Sequence, residues 1–545
     1  MIGRNSSKIA LLIATTMLVM LVLAACGTGN NESTAGDKSV NGDKSAADRS
    51  TITVTLYDRG NVPPAAGTVD DNIWSQWINE HSPVGVDFIP FPRSEQVQKL
   101  NLLFASGDAP DLILEYDGNF LNQLYGQKQL LKLDDLITEH STTYKKMTEE
   151  YPQLRTLGQM DDGGTYLVGR ILGMKTNDYM LIRKDWLDKL KLDMPTTTEE
   201  LFEVAKAFRE QDPDENGERD TFGMNMGGNN AESVINAMFN NGSRFVQDGK
   251  LVNPTVGEQA KAAADFQKRL FEAGIVDKDF LTDKTGEVAK QSWISGKLGI
   301  YLSSSGIDNA LLLEAHKSLL QNNPEAVIEP VPLPESPYGA FNPKYKSPIQ
   351  MTGAINANAK DPQAVMQYID FLVEQDTIMT LKNGIEGVHY NKDTDGVAVP
   401  IDVEKNKTEL VGMLDYNMLS FIGTLPEKEQ AEVKLNMDVP AEKAFSELID
   451  SAHAAFLNPD RPYAHPIINW PGLPSDLQVI SKNTETIGDI WRKSIVSGDK
   501  YTTDQAMADV QALWNSAGGT KIDEYFSNWL EEKADNVLYI SDFQQ

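Results

Sequence analysis

The stretch DPDENGERDTFG, residues 212–223, sets oxygen-bearing side chains at alternate positions: Asp212, Asp214, Asn216 and Asp220. A hard cation such as Ca2+ needs several oxygen ligands, and this spacing wraps a loop round one ion, with Glu218 supplying its backbone carbonyl. Position twelve, where a paired-helix calcium sensor places a bidentate Glu, is Gly223, and the TFGMNMGG that follows does not read as a second helix. The chemistry expected is structural. Asp212, Asp214, Asn216, Glu218 and Asp220 are the metal candidates, with no catalytic part. An acidic, glycine-containing surface turn has the same composition.

A second reactive position is Cys26, the single cysteine of the 545 residues. Arg4 and Lys8 precede an apolar run, IALLIATTMLVMLVL, and then LAAC. The run is short for a membrane span and ends in small residues, so residues 1–25 read as a cleaved signal. LAAC resembles a bacterial lipobox, which implies that Cys26 becomes the first mature residue and carries a diacylglyceryl thioether. Two acyl chains suffice for stable anchoring. No cysteine then remains for a disulfide, and a hydrophobic core must stabilise the exported protein. Residues 26–50, rich in Gly, Ser, Asn and alternating Asp and Lys, make a flexible tether.

The rest of the chain must position these groups, and residues 51–545 exceed what one core usually supports, so two lobes are expected. TITVTLY has apolar residues at Ile52, Val54 and Leu56, the period of a strand. DDNIWSQWINE reads as a helix, VGVDFIPF as a strand, SEQVQKLNLLFAS as a helix and DLILEY as a strand. Such alternation implies a parallel sheet with helical crossovers, and ligands meet such sheets at the carboxyl ends of the strands. TYLVGR and DYMLIRKDWLDKL start a second unit. Thr197 and Glu200 form a capping box for the helix that follows. The proline-rich passage 329–348 is expected to cross between lobes. Further helices are expected near 231–240, 257–273, 287–295, 307–321, 361–381, 440–456, 475–497, 503–517 and 521–534. The expected division is 51–165 with about 346–410 for an N-terminal lobe, and 166–345 with about 411–545 for a C-terminal lobe.

Acidic residues outnumber basic ones, 79 to 49. That balance disfavours nucleic acid and anionic lipid surfaces as partners.

Several pieces in consistent order resemble the extracellular solute-binding lipoproteins of carbohydrate ABC importers, in the large group related to alginate- and pectin-oligosaccharide binders. They are LAAC, ASGDAPDLI, RKDWLDKLKLDMPTT, DPDENGERDTFG, SGKLGIY, GIEGVHY and ALWNSAGGTKIDEYFSNW. The resemblance implies a two-lobed, periplasmic-binding-protein-like α/β fold, each lobe a mainly parallel sheet flanked by helices, with a hinge between them. It implies an oligosaccharide captured in the cleft and delivered to ABC permease subunits by a monomer, lipid-anchored on the outer face of a Gram-positive cell membrane. It also implies a structural calcium site in the 212–220 loop, to which the residue after the ninth position would contribute; here that residue is Thr221.

Sugar binding needs flat aromatic faces for the C–H side of a ring and planar polar groups for hydroxyls. Of the eight Trp, Trp74, Trp77, Trp186, Trp491, Trp514 and Trp529 lie in amphipathic helices and read as core. Trp293, just before SGKLGIY, suits either core or cleft. Trp470 sits in a loop held by Pro462, Pro466, Pro471 and Pro474 and is expected to face the ligand. Tyr57 and Asp58 end the first strand; Glu115, Tyr116 and Asp117 end the third. GIEGVHY contributes Tyr390 beside Glu386 and His389, or is a helix-capping turn with a buried tyrosine. Arg59 and Arg170 suit an acidic sugar or surface ion pairs. The rival classes are a secreted glycan-degrading enzyme, which needs two opposed carboxyl groups, and a surface adhesion protein. No GxSxG, HExxH, phosphate loop or cysteine nucleophile supports an enzyme, and the parallel-sheet pattern disfavours adhesion modules.

Overall fold

The computed structural model describes residues 49–394, 396–426, 429–430 and 433–544. The signal, Cys26 and the tether to residue 48 lie outside the described residues. Among the described residues no helix is long and apolar enough to cross a membrane.

Two sheets organise residues 49–544. The first has five strands in the order Gly85–Pro92, Thr51–Asp58, Leu112–Leu114, Ile349–Ile355, Leu167–Ile171. Thr51–Asp58 runs parallel to both its neighbours, as the strand–helix alternation predicts. Ile349–Ile355 runs antiparallel to both of its own. Leu112, Ile113 and Leu114 are all buried because helices cover both faces: Leu112 and Leu114 pack into one core with Ile52, Val54 and Leu56, and Ile113 into another with Phe91, Leu100 and Leu121. This is the burial expected of an inner strand.

The second sheet has four strands, Ile328–Pro330, Asp178–Arg183, Leu298–Ser304 and Phe222–Met224, in that order. Met180 and Ile182 face one core with Trp186 and Phe208, while Tyr179 and Leu181 face another with Trp293 and Phe445. A fifth core joins the C-terminal helices Ser475–Asn483, Ile487–Val496, Thr503–Ala517 and Thr520–Glu532. The capping box at Thr197 is present, both partners bonded, and opens the helix Thr198–Glu210.

Two expectations need correction. Neither sheet is mainly parallel. The second has one parallel pairing, Leu298–Ser304 with Phe222–Met224, and two antiparallel ones. The reason is connectivity: Asp178–Arg183 enters straight from an extended crossing segment, so no helical crossover fixes its direction. The second correction concerns Leu167–Ile171, expected at the start of the C-terminal lobe. It is an edge strand of the first sheet, and Met413, Tyr416, Met418 and Leu419 likewise pack into the first sheet's core.

The crossing is a two-stranded ribbon. Beyond the Ile171–Ile349 pairing, Leu172 N donates to Pro348 O (2.7 Å), Lys175–Thr176 pairs antiparallel with Tyr345–Lys346, and Asp178 N donates to Lys344 O (2.9 Å). The chain thus passes from the first sheet to the second and returns beside itself. Lys175 Nζ and Lys346 Nζ, one from each direction, donate to the two oxygens of buried Asp308 at 3.1 and 3.0 Å.

Acid should loosen this fold through a buried histidine. His316, on the helix Ala310–Asn322, is 5 % exposed and packs against Phe445. Burial pushes its pKa down to about 4. Its folded-state pKa lies below its unfolded value, so its contribution is fully present above about pH 6.5 and is lost as pH falls towards 4. At pH 5 the loss from this group is about 2 kcal/mol. Calorimetric melting at pH 7 and pH 5 should show the acid decline shrinking by that amount in His316→Leu; an unchanged decline would show that the ring is protonated in the fold.

Candidate functional site

Thr51–Asp58 and Leu112–Leu114 are neighbours and parallel, so their carboxyl ends bring Tyr57 and Tyr116 together, rings 5.8 Å apart and 14° from parallel. Glu115 fixes them. It is 3 % exposed; its Oε1 accepts from Tyr57 Oη (2.5 Å), Tyr116 N (2.7 Å) and Asp117 N (2.9 Å), and its Oε2 from Gln96 Nε2 (2.9 Å). Burial, then the bond to Glu115, push the Tyr57 phenol above its ordinary range and keep it a neutral donor. Glu115, expected to contact ligand, is thus committed to the protein: it is a positioning residue.

Three guanidinium groups surround this pair. Arg59 and Arg93 each lie 5.7 Å from the Tyr57 ring centre; Arg170 lies 5.5 Å from that of Tyr116 and 4.6 Å from that of Phe421. Asp415 holds Arg59 by a bidentate bond (2.6–2.9 Å), and Gln350 Oε1 accepts from Arg170 Nη2 (2.9 Å). The exposed Arg93 makes no ion pair or hydrogen bond through its guanidinium among the described residues. Arg59 and Arg170 were legible as cations near strand ends. Arg93, Asp415 and Phe421 were missed: Arg93 directly follows the strand Gly85–Pro92, a usable signal, whereas Asp415 and Phe421 arrive from hundreds of residues away. Asp58 and Asp117 turn to local backbone, Asp58 accepting from Gly60 N and Asp117 capping the helix Gly118–Gly126. Tyr57 is 3 % exposed and spends its hydroxyl on Glu115, so it packs beneath the shelf; half-buried Tyr116 supplies the flat face and the arginines the planar donors.

Three other candidates stand apart. Trp293 is 1 % exposed and stacks on Tyr301 in the second sheet's core, so it packs and offers no face to a ligand. Tyr390 is buried at the start of a small hairpin, and GIEGVHY is the capping turn: Gly384, at φ +88°, ends the helix Gln375–Asn383. His389 is buried with Nε2 3.0 Å from Glu409, and exposed Glu386 pairs with Lys392. Trp470 is half-buried against Phe526 and Trp529 (5.1 and 5.6 Å between centres). Its loop reaches the first lobe, where a side chain on Gly472 would meet Asn122 Nδ2 at 2.8 Å.

The 212–220 loop has the strain and crowding of an ion site. Asp212, Glu215 and Gly217 all take positive φ. Asn216 Nδ2 donates to Asp214 Oδ2 (2.9 Å) and Asp220 Oδ1 (3.1 Å), while Asp214 Oδ1 is buried with no partner. Burial, then Asp212 and Asp220, push the Asp214 pKa up, a repulsion that a cation would relieve. Two features count against a complete shell. Lys297 Nζ occupies Asp220 Oδ2 at 2.6 Å, and no group of three or more His, Cys, Asp or Glu among the described residues is arranged to hold a metal. Thr221, the expected extra ligand, is buried and donates its hydroxyl to Phe208 O (2.8 Å), closing the helix before the loop. Asp212 Oδ1 and Oδ2 accept from Asn216 N (3.2 Å) and Gly217 N (3.0 Å), which leaves Asp214 Oδ1 as the loop's buried oxygen without a donor.

Comparison with known proteins gives the setting. The sequence model described as bacterial extracellular solute-binding protein matches residues 65–377, more than half of the chain. The polygalacturonan/rhamnogalacturonan-binding protein YtcQ of Bacillus subtilis is 25 % identical over 409 residues, 70 % of this chain and 74 % of its own. Lipoprotein LipO of the same organism is 24 % identical over 460 residues, 79 % and 83 %. Among solved structures, the S. pneumoniae ABC-transporter substrate-binding protein FusA, as an EF-hand mutant with fructo-nystose, superposes with a TM-score of 0.63 at 20 % identity, over 89 % of this chain and all of that one.

Glu115→Leu tests the positioning role. It strands Gln96, Tyr57 and two backbone N–H groups, so the unliganded protein should lose about 3 kcal/mol of unfolding free energy in denaturant. Equal midpoints for the two proteins would show that Glu115 does not hold the shelf.

Proposed function

Because the chain belongs to the bacterial extracellular solute-binding protein family, we propose that its solute is an oligosaccharide, captured between two lobes and handed to the permease of an ABC importer. The observation that carries this reading is the shelf: half-buried Tyr116, backed by the stacked and buried Tyr57, beside Arg59, Arg93 and Arg170, at the carboxyl ends of parallel strands. The Tyr116 face suits the C–H side of a sugar ring, and the guanidinium forks suit hydroxyl or carboxylate oxygens. The relatives agree in kind, since YtcQ is named for polygalacturonan and rhamnogalacturonan and FusA was solved with fructo-nystose.

The lobes in this reading are residues 51–171 with 349–425, and 178–344 with 433–544; the ribbon between them is the hinge about which the cleft closes. The protein binds without turnover, its carboxylates at the shelf being committed to structure. Cys26 carries the lipid that holds it outside the membrane. Asp212, Asp214, Asn216 and the Glu218 carbonyl hold a calcium ion of structural role, a reading supported by the unpartnered Asp214 oxygen and the EF-hand named in FusA.

Two measurements test this. Titration calorimetry against fructo-, galacturono- and alginate oligosaccharides should find one tight class, with no cleavage product by chromatography. Tyr116→Ala should weaken it by about 2 kcal/mol, the loss typical of an aromatic anchor; tight binding unaffected by Tyr116→Ala would remove the shelf from the site, and product formation would make the protein an enzyme. For calcium, an ion at a hundredfold excess over its dissociation constant adds about 2.7 kcal/mol. Chelator should lower the melting temperature of the wild type and leave Asp214→Ala unmoved; identical melting of the wild type with and without chelator would reduce the loop to a turn.

A further inference from the structure

The second lobe contains a cavity of about 460 Å3, away from the tyrosine shelf and among residues that helical periodicity marks as core. The helices Gly228–Met238, Glu258–Glu272, Ile487–Val496 and Thr520–Glu532 all contribute to its walls. Trp491, Trp514 and Phe526 line it. Both indole N–H groups are spent on protein, Trp491 Nε1 on Thr255 O (3.1 Å) and Trp514 Nε1 on Asp523 Oδ2 (3.0 Å), so what remains to an occupant is ring surface.

Two polar groups on this wall are incompletely used. Asn241 Oδ1 is buried and has no hydrogen-bond partner. Arg244 lies over Phe526 (4.8 Å) and gives its Nε proton to Asp523 Oδ1 (3.0 Å), one of the five N–H groups of a guanidinium. Opposite, Glu232 is neutralised by Arg492, whose Nε and Nη2 donate to the same Oε2. The charges therefore balance in pairs, Arg244 with Asp523 and Arg492 with Glu232, which favours an uncharged occupant. A buried amide oxygen without a donor is costly, and a cavity of this size is within the range of small-molecule sites, roughly 300–1,000 Å3. A packing defect would be small and apolar. This one is neither.

The cavity also connects to the hinge. Ser233, between cavity residues Glu232 and Asn236 on one helix, donates to buried Asp178, which follows the crossing ribbon directly. At another edge lies Leu473, next to Gly472, where a side chain would meet Asn122 of the helix following Tyr116 and Asp117.

We infer that this cavity is a second sugar subsite, which takes one neutral ring of the oligosaccharide. Its C–H surface meets Trp491, Trp514 and Phe526, one hydroxyl donates to Asn241 Oδ1, and others accept from Arg244. The inference rests on the oligosaccharide reading and adds to it the residues that select a ring in the second lobe.

The test uses the full mature chain and neutral fructo-, xylo- and manno-oligosaccharides of increasing length, alongside galacturonic acid oligomers. Asn241→Leu and Arg244→Gln should each weaken the tightest neutral ligand at least tenfold. They should also abolish the gain in affinity that the wild type draws from the last ring added, with unliganded melting close to wild type. Saturating ligand should change tryptophan emission in the wild type, and most of that change should be lost in Trp514→Phe, a swap that keeps an aromatic wall. Wild-type affinities and length dependence retained in both polar variants, or an emission change retained in Trp514→Phe, would overturn the subsite while leaving the oligosaccharide reading intact. A preference of the wild type for galacturonic acid oligomers that depends on Arg244 would overturn the neutral assignment. Absence of saturable binding by the wild type to every sugar in the panel would overturn both.

Discussion

Asp308 receives an ammonium group from each strand of the crossing ribbon, Lys175 from the outgoing one and Lys346 from the returning one. Burial alone would raise its pKa, but the two lysines hold it below the ordinary carboxylate range. Removing one partner from such a buried arrangement typically costs about 3–5 kcal/mol, because the remaining charge is left without compensation. Both crossings are therefore fixed to one point of the second lobe, at the end of Leu298–Ser304. Lys175 also donates to Gln430 O (3.1 Å), which ties in a third passage of the chain. The two sheets are thus joined at one point by three passages of the chain, two of them paired as the ribbon.

The tyrosine shelf has its own constraint within the first sheet. Parallel pairing of Thr51–Asp58 with Leu112–Leu114 forces Tyr57 and Glu115 to leave the sheet at the same end. Once there, the geometry makes Glu115 an internal acceptor and Tyr57 a fixed donor. The arginines then have an aromatic base to lie on, and Asp415 anchors one of them. A diffuse net charge of −30 thus coexists with three local cations, because the field at the shelf is set by short-range arrangement and not by the screened sum over a large surface.

The first three strands and most of the longer helices were legible because apolar period and capping chemistry are local; Leu298–Ser304 and Ile349–Ile355 were not read as strands, nor Tyr345–Lys346 in the proline-rich passage. Ile52, Val54 and Leu56 announce their strand, and Thr197 with Glu200 their helix. Strand direction was less so: the alternation before residue 115 predicts parallel pairing correctly, but nothing local in Asp178–Arg183 tells that it arrives by a ribbon. Site residues divide on the same ground. Topology placed Tyr57, Glu115 and Tyr116 at one end of the sheet, but that Tyr57 and Glu115 turn to each other and to Gln96 becomes visible only in three dimensions. Trp293 was ambiguous because a tryptophan ahead of a strand has no periodic partner, and Tyr301 supplies one only after folding. Trp470 kept its irregular loop but gained Phe526 and Trp529 as neighbours, so proline restraint did not leave it free. Trp491 and Trp514 were read as core, and by burial they are. Periodicity tells which face of a helix leaves water. It does not tell whether that face meets another side chain or a cavity.

The loop at 212–220 belongs to the same mechanical chain. It joins Thr198–Glu210 to the edge strand Phe222–Met224, and its end is fastened by Thr221 Oγ1 on Phe208 O and by Arg209 Nη1 on the Arg219 and Thr221 carbonyls (2.8 and 2.7 Å). An edge strand of three residues has little pairing of its own to fix its position. From its carboxyl end the chain passes through Asn225, which exchanges two hydrogen bonds with the Leu302 backbone, to Gly227 and the helix that carries Glu232, Ser233 and Asn236. Gly228 is forced into the left-handed region (φ +79°), and a side chain there would meet the Gly286 backbone at 2.9 Å. The helix start is thus clamped on one side by that approach and on the other by the strand that the loop steadies. Relief of carboxylate repulsion by an ion at Asp214 would act on that strand first and on the helix lining the cavity next. The loop, the edge strand and the helix thus form one run of fixed contacts, from Thr221 on Phe208 to the helix that carries Glu232 and Asn236.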